Sequence, residues 1–431
     1  MRHTAIHSTR YDCRPLSHQP LCRGAHRLQV MNSARPSLSA TSDPKSQPTD
    51  NAGRLRVLMV NSTLHIGGAE QVAANLTKHM ERHQFDVTAC FLKENGIVGK
   101  QMLETGVDLV PIPGYRGKKD YFTALKLRKL VKQRRIQLLH SHDIHGLMDA
   151  AFCRLTVPGL RHVHTFHFGN YPHISPRYAR IERLLWRVPD ALIAVGHEQA
   201  ATIRKLHDIP AERMQVIWNG TDVPTPELAP EVVAQLPRDG TPVIGSISTL
   251  IPQKGLPDLL QAAALLRQRN KRFLMILAGE GKLRRELEAQ AHSLRLQDHV
   301  RFLGWVSAAS RRALPACDIF VQSSHWEAMS VVVLEAMAGA KPMVITSVGE
   351  NSRVVINEQT GLVVPPRSPQ ALADGLARLL DDVDLRHRLG AAAQQRFGEL
   401  FTVQQMVRNY EHLYAQLIQG AGSVTATEKA A

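Results

Sequence analysis

Apolar positions gather into short runs, separated by polar, glycine-bearing turns and by stretches of helical spacing. The first run, residues 55–60, is nearly continuous, as in a strand buried on both faces. A polar turn with Gly67 and Gly68 follows, then residues 69–79 with helical spacing. Further runs at 85–92, 109–112, 137–140, 161–165 and 191–195 alternate with helical stretches. This alternation predicts a parallel sheet covered by helices on both faces.

Pro224, Pro226, Pro230, Pro237 and Gly240 then cluster, which marks a linker. A second series of runs begins at 243–247 and continues at 273–278, 300–303, 319–322, 342–345 and 361–364. From 370 to about 418 the pattern is helical, with Leu376, Leu379 and Leu380 in an apolar stripe. The expected organisation is a disordered extension at 1–53, a Rossmann-like domain at 54–220, a linker at 221–240, a second Rossmann-like domain at 241–400, and a C-terminal helix and tail at 401–431. The fold class is α/β, two doubly wound domains facing each other across a cleft.

Composition narrows the picture. The leader at 1–53 is rich in Arg, His, Ser and Pro and lacks the apolar stretch of a signal peptide. It reads as a disordered tail or an upstream start before Met31, ahead of an organelle transit peptide. Apolar residues make up 44% of the 431, enough for two cores. Five scattered cysteines without a CxxC argue against a disulfide framework or structural zinc. No run is long enough to cross a membrane. The net charge of +15 favours anionic partners, nucleotide phosphates or anionic lipid. No zinc-finger spacing or RNA-binding aromatic signature accompanies it, so nucleic acid is not expected. The densest basic segment, 115–135, holds nine Lys or Arg against Asp120. It suits a solvated helix on the sheet, which carries slightly more weight, or contact with an anionic membrane.

Four patterns carry candidate chemistry. Gly67 and Gly68 stand between a strand and a helix, where backbone amides can approach a phosphate or sugar; a plain tight turn explains them as well. Lys254, between a strand and a helix, can neutralise a diphosphate, although a solvated lysine fits that place too. Glu327 and Glu335, eight positions apart around an apolar run, can accept from sugar and ribose hydroxyls. Among the many histidines, His167 and His142 follow strand ends, where ligands of such sheets bind. Their spacing lacks the helical pairing of a metal site. The DxD spacing at Asp382 and Asp384 lies in a late helical region and reads as a helix connection.

Together these motifs resemble family four of the retaining glycosyltransferases, which have the GT-B fold, from about residue 55 to 418. The resemblance rests on GGAE at 67–70, QKG at 253–255, AGEG at 278–281, FLGWV at 302–306, the two glutamates, and GLVVPP at 361–366. It implies a metal-independent hexosyltransferase without a cofactor. Its substrates would be a nucleotide sugar, bound by the domain at 241–400, and a glycan or lipid-linked acceptor on the side of the domain at 54–220, in the cytoplasm or peripheral on the inner face of the membrane. By the same resemblance His167, Glu327 and Lys254 are catalytic. Gly67, Gly68, Lys254, Trp305, Val306, Met329, Ser330, Val331 and Glu335 bind the donor, and His142 lies on the acceptor side. Two departures stand out: Thr249 replaces an arginine that contacts the diphosphate, and Ala328 replaces a glycine. Arg353 is a candidate to restore some of the lost charge. Two other readings stay open, a different nucleotide-sugar enzyme such as an epimerase or phosphorylase, and a non-catalytic nucleotide-sugar-binding subunit.

Overall fold

The structure, a computed structural model, describes residues 53–65, 67–114 and 120–427. The leader before Gly53 and the basic residues Arg116, Lys118 and Lys119 lie outside the described residues.

Two parallel sheets account for the alternating pattern. The first comprises β1 (Leu55–Thr63), β2 (Phe85–Glu94), β3 (Leu109–Pro111), β4 (Leu138–Ser141), β5 (Arg161–Phe166), β6 (Ala191–Ala194) and β7 (Met214–Val216). Their spatial order is β3-β2-β1-β4-β5-β6-β7. The second comprises β8 (Val243–Ile247), β9 (Leu274–Ala278), β10 (Val300–Gly304), β11 (Ile319–Gln322), β12 (Met343–Thr346) and β13 (Leu362–Val364), in the order β10-β9-β8-β11-β12-β13. All the paired strands run parallel. Both orders reverse direction at a switch point, β1/β4 in one sheet and β8/β11 in the other. The pattern did not reveal β7, which has three residues and exposes Gln215.

β1 shows why its run is apolar throughout. Val57 and Met59 pack on one face with Val72 and Leu76 of the helix Gly68–His79. Leu58 and Val60 pack on the other with Leu127, Leu130 and Val131 of the helix Thr123–Gln133. Alternate residues enter opposite layers, as the pleat requires. In the second sheet the helices Leu256–Gln268 and Pro369–Asp381 cover one face and Val331–Ala338 the other, while Val383–Leu400 reaches both layers, Leu385 and Leu389 in the first and Ala393 and Phe397 in the second. Asp382 caps the last of these by accepting from the Leu385 N–H (2.8 Å).

The chain crosses between the sheets twice. Thr221 donates its N–H to Phe401 O (3.1 Å) and accepts from the Val403 N–H (3.0 Å), which joins the two passages side by side. After the second passage, the helix Val403–Thr427 returns to the first sheet. Its stripe Val403, Met406, Val407, Tyr410, Leu413 and Tyr414 is buried against Val57, Val87 and Leu138. The 3.6-residue period makes such a stripe but does not say which sheet it covers.

Candidate active site

Most of the residues singled out in the sequence gather around the two switch points, whereas Trp305 and Val306 follow the edge strand β10. Gly67 and Gly68 follow β1, His142 follows β4 and His167 follows β5. Lys254 follows β8, Glu327 follows β11, and Glu335 lies on the helix beyond it.

On the second sheet, Lys254 ends a 3-10 turn, Pro252–Lys254. Gly255 follows with φ +60°, and a Cβ there would lie 2.0 Å from Ser323 O. Glycine therefore serves both the left-handed backbone and the close approach. That approach stitches the lysine loop to the loop after β11: His325 N donates to Gln253 O (2.7 Å) and Ser323 Oγ to Lys254 O (2.9 Å). The result is an ion pair, Lys254 Nζ to Glu327 Oε1 at 2.6 Å, with Ser324 Oγ donating to the same oxygen (2.7 Å). The Glu327 side chain is only 8% exposed, so its charge is shielded from water and held by Lys254.

Immediately after this pair, Ser330 and Val331 begin the helix Val331–Ala338. No side chain caps the N-terminus, because Gln322 Nε2 donates to Ser330 Oγ (2.6 Å) and holds that hydroxyl elsewhere. The first-turn N–H groups remain available to an anion, and the helix dipole favours one there. Met329 turns its side chain inward, its Sδ accepting from the Asn219 N–H (3.1 Å), so only its backbone can serve a ligand. Val306 is likewise buried, among Ala229, Val232 and Ala313, whereas Trp305 is 49% exposed. Glu335 is half-buried. Desolvation pushes its carboxyl up to about 7, against a smaller lowering by the Ser310 hydrogen bond.

Thr249 is exposed in the loop after β8. Arg353 lies 3.9 Å from Glu350 with its side chain 58% exposed. Ala328 is absent from the positive-φ residues, so its methyl costs no backbone strain.

The first sheet contributes imidazoles. His140, His162 and His164 are internal: His140 bridges Tyr414 Oη (2.6 Å) and Thr165 Oγ1 (2.7 Å), and the other two flank Ser141 Oγ (2.9 Å each). His142 Nδ1 lies 3.0 Å from His167 Nε2, with the rings stacked. Burial holds His167 down at about 3. Burial and the neighbouring imidazoles keep His142 well below the ordinary value, so both rings are neutral near pH 7. The buried His142 Nε2 has no partner among the described residues. A buried orphan acceptor is less costly than an orphan N–H. The hydrogen-bond network therefore assigns the His142 proton to Nδ1, donating to His167, and the His167 proton to Nδ1. His142 sits behind His167 rather than on the surface of the crevice.

The two walls touch. A Cβ on Gly68 would stand 3.7 Å from Val331 Cγ2, and one on Gly169 only 2.3 Å from Ala328 N, so the loop after His167 lies directly on the Glu327–Ala328 backbone. A further contact escaped the sequence reading. Glu350, fully buried, accepts from His197 N (2.7 Å) and Trp218 Nε1 (2.9 Å) and bonds His197 Nδ1 (2.7 Å). The carboxylate thereby caps the start of the helix His197–His207 on the first sheet. With 153 residues between the partners, no local motif signals it.

Known proteins fit this geometry. A family model described as Glycosyltransferase Family 4 matches residues 66–224, and one described as Glycosyl transferases group 1 matches 230–396. A glycogen synthase of Mycobacterium tuberculosis is 29% identical over 307 residues, covering 69% of this chain and 73% of that protein. The lipopolysaccharide core biosynthesis glycosyltransferase LpsD of Rhizobium meliloti is 28% identical over 355 residues, covering 81% and 95%. Among solved structures, HepE of Anabaena in complex with UDP and glucose has a TM-score of 0.74 at 21% identity, covering 84% of this chain and 100% of that one. One model covers the first sheet from the loop after β1 onward and the other the second sheet, and each includes its own wall of the crevice; the chain belongs to the family-four glycosyltransferases of GT-B fold.

Proposed function

We propose that this glycosyltransferase moves a hexosyl group, with retention of configuration and without a metal, from a nucleoside diphosphate sugar to a glycan or lipid-linked acceptor. It would act on the cytoplasmic side of a membrane, in cell-surface polysaccharide or glycolipid assembly. The observation that carries this reading is the shielded Lys254–Glu327 pair beside the uncapped N-terminus of Val331–Ala338. The cation and the N–H groups suit a diphosphate, and the carboxylate beside them suits sugar hydroxyls. Glu335, farther along the helix, suits the ribose. The uridine nucleotide in HepE and the lipopolysaccharide role in the name of LpsD support the donor class and the setting.

In the proposed step the bond between the anomeric carbon and the diphosphate oxygen breaks, and its electron pair leaves with the phosphate. Lys254 and the helix amides stabilise that growing charge more than they stabilise the ground state. The acceptor oxygen bonds to the same face of the sugar, and its proton passes to the departing phosphate oxygen. Neutral His167 can donate a hydrogen bond there without adding charge. A panel of uridine and guanosine diphosphate sugars with lipid-linked and soluble glycan acceptors tests the reading. Acceptor-dependent release of nucleoside diphosphate, with the donor's anomeric configuration kept in the product, is expected. Release of the diphosphate only with inorganic phosphate, or epimerised donor without transfer, would replace it.

A further inference from the structure

The crevice lies beyond the C-terminal strand ends, and a second concentration of charge lies at the opposite edge of the first sheet. A hollow of about 330 Å³ is lined there by Arg154, Arg161, Arg187, Asp190, Arg213 and, from the last helix, Gln416. Arg161 begins β5, Asp190 immediately precedes β6, and Arg213 immediately precedes β7. His167 follows the other end of β5, so the length of the strand puts the two places roughly 20 Å apart.

Structural need explains only part of this cluster. Asp190 accepts from Arg154 Nε (2.8 Å) and Nη2 (3.1 Å), from Arg161 Nη1 (2.8 Å) and from the His162 N–H (2.9 Å). Those four bonds fully occupy the carboxylate. Arg187 and Arg213 are surplus to it. Arg187 lies over the Trp186 ring, 4.2 Å from its centroid, and Arg213 Nη2 donates to Pro189 O (2.9 Å). Neither has a carboxylate within ion-pair distance among the described residues. Four guanidinium groups thus face one hollow that contains one carboxylate. Ring stacking and a backbone carbonyl hold the two surplus groups in place, so little side-chain entropy remains to be lost on binding. Their unused N–H groups match tetrahedral oxyanions in fork geometry, which a lysine cluster would not. The volume is at the small end of ligand pockets.

We propose that this hollow is a second anion site, distinct from the donor site, that takes a phosphoryl group. Two sources share that chemistry, a small phosphate ester in solution and a phosphate of an anionic lipid headgroup. Because Gln416 and Leu417 of the last helix line the hollow, a bound phosphoryl group would bridge β5, β6 and that helix.

The test uses the full chain, the double variant Arg187→Gln/Arg213→Gln, and Arg187→Glu alone. Neither residue holds Asp190, and Arg187 is exposed, so Arg187→Glu should fold even if the double variant does not. Inorganic phosphate and pyrophosphate are titrated by calorimetry and thermal shift, with UDP as the donor-site probe. Sedimentation with phosphatidylcholine vesicles, with and without phosphatidylglycerol, covers the lipid source. For a soluble ligand, phosphate binding should weaken at least tenfold in either variant, persist in Lys254→Ala, and leave UDP binding unchanged. For a lipid headgroup, the same variants should instead lose binding to the phosphatidylglycerol vesicles. If phosphate and vesicle binding are both absent, or both indifferent to Arg187 and Arg213, the proposal is wrong.

Discussion

The walls of the crevice share one strand order and carry opposite chemistry. On the first, His142 and His167 are neutral, because burial removes water and their neighbours are imidazoles and hydroxyls rather than carboxylates. On the second, Lys254 and Glu327 form an ion pair and Glu335 is a carboxyl close to half-ionised at neutral pH. Topology decides where these side chains point. Their partners decide whether they carry charge. An ion pair facing neutral imidazoles is an asymmetry suited to gripping an anionic donor on one side and an uncharged hydroxyl on the other.

Removing the charge from the second wall breaks this asymmetry most severely. Lys254→Ala should lower transfer on the order of a hundredfold or more, in kcat as well as in donor affinity, by comparison with other preorganised electrostatic contacts. It also strands the shielded Glu327 carboxylate, so the melting temperature should fall. Glu327→Ala should lower transfer comparably while leaving UDP affinity within a few fold, since UDP carries no sugar. Steady-state kinetics alongside calorimetric UDP titration check both. Near-normal transfer in both folded variants would remove the pair from the mechanism.

The walls should also answer pH with opposite sign. Glu335 titrates at about 7 in the folded chain, against an ordinary value of 4.5. Its protonated form is favoured by folding, so that contribution is complete below 4.5 and is lost as the pH rises through 7. His167 titrates at about 3 against an ordinary 6.5, so its contribution is present above 6.5 and is lost as the pH falls through 3. Glu335→Gln should therefore gain stability over the parent above pH 7, by up to about 3 kcal/mol. His167→Gln should flatten the loss below pH 6. In the parent, UDP affinity should rise between pH 6 and 8 with release of protons, because ribose hydroxyls bond best to the ionised carboxyl. Melting curves and UDP titrations across pH 4 to 9 separate the two walls. Parallel pH profiles for both variants would show that the walls are not electrostatically distinct.

How much of this was legible depended on whether the cause was local. β1 and β8 were plain, since strands covered on both faces must be apolar throughout. The loop residues Gly67, Lys254 and Glu327 stood out because each follows such a strand. β7 was hidden because exposed Gln215 breaks its three residues, whereas the equally short β3 and β13 are apolar throughout. The Glu350 cap on His197–His207 and the return of Val403–Thr427 to the first sheet were hidden for another reason. The Glu350 carboxylate and the Tyr410–Tyr414 stripe each meet their partners only after the whole chain has folded. The same holds for the protonation of His142 and His167, which comes from neighbours on separate strands.

A smaller effect sharpens the second wall rather than breaking it. Thr249 is exposed beside the lysine loop, where relatives by resemblance supply an arginine. Thr249→Arg should raise UDP affinity about five- to tenfold through one more charge-assisted bond. Calorimetry with UDP and with uridine alone measures it, because uridine lacks the diphosphate and should gain nothing. An equal gain for uridine, or none for UDP, would show that the position does not face the phosphates.

The variants that should touch transfer least concern where the first half of the molecule keeps its positive charge. Its crevice imidazoles are neutral, but the helix Thr123–Gln133 carries exposed Lys129 and Lys132, beside exposed Tyr121, Phe122 and Leu125. Lys126 belongs to a different set: it bonds Asp120 and donates to Gly114 O (3.2 Å), so it is largely occupied within the chain. Cations beside aromatic and aliphatic side chains suit an anionic lipid surface, each contributing about 1 kcal/mol near the membrane. Lys129→Gln/Lys132→Gln should therefore weaken binding to vesicles containing phosphatidylglycerol roughly tenfold or more at low salt. The difference should shrink as ionic strength rises and the Debye length shortens. Lys126→Gln should do less, because the charge it removes is already paired. Transfer to a soluble acceptor should be unchanged in both, since the helix does not line the crevice. If Lys126→Gln weakens vesicle binding as much as the double variant does, the count of free charges on this face is wrong. If neither variant matters, the helix is an ordinary solvated cover on the sheet.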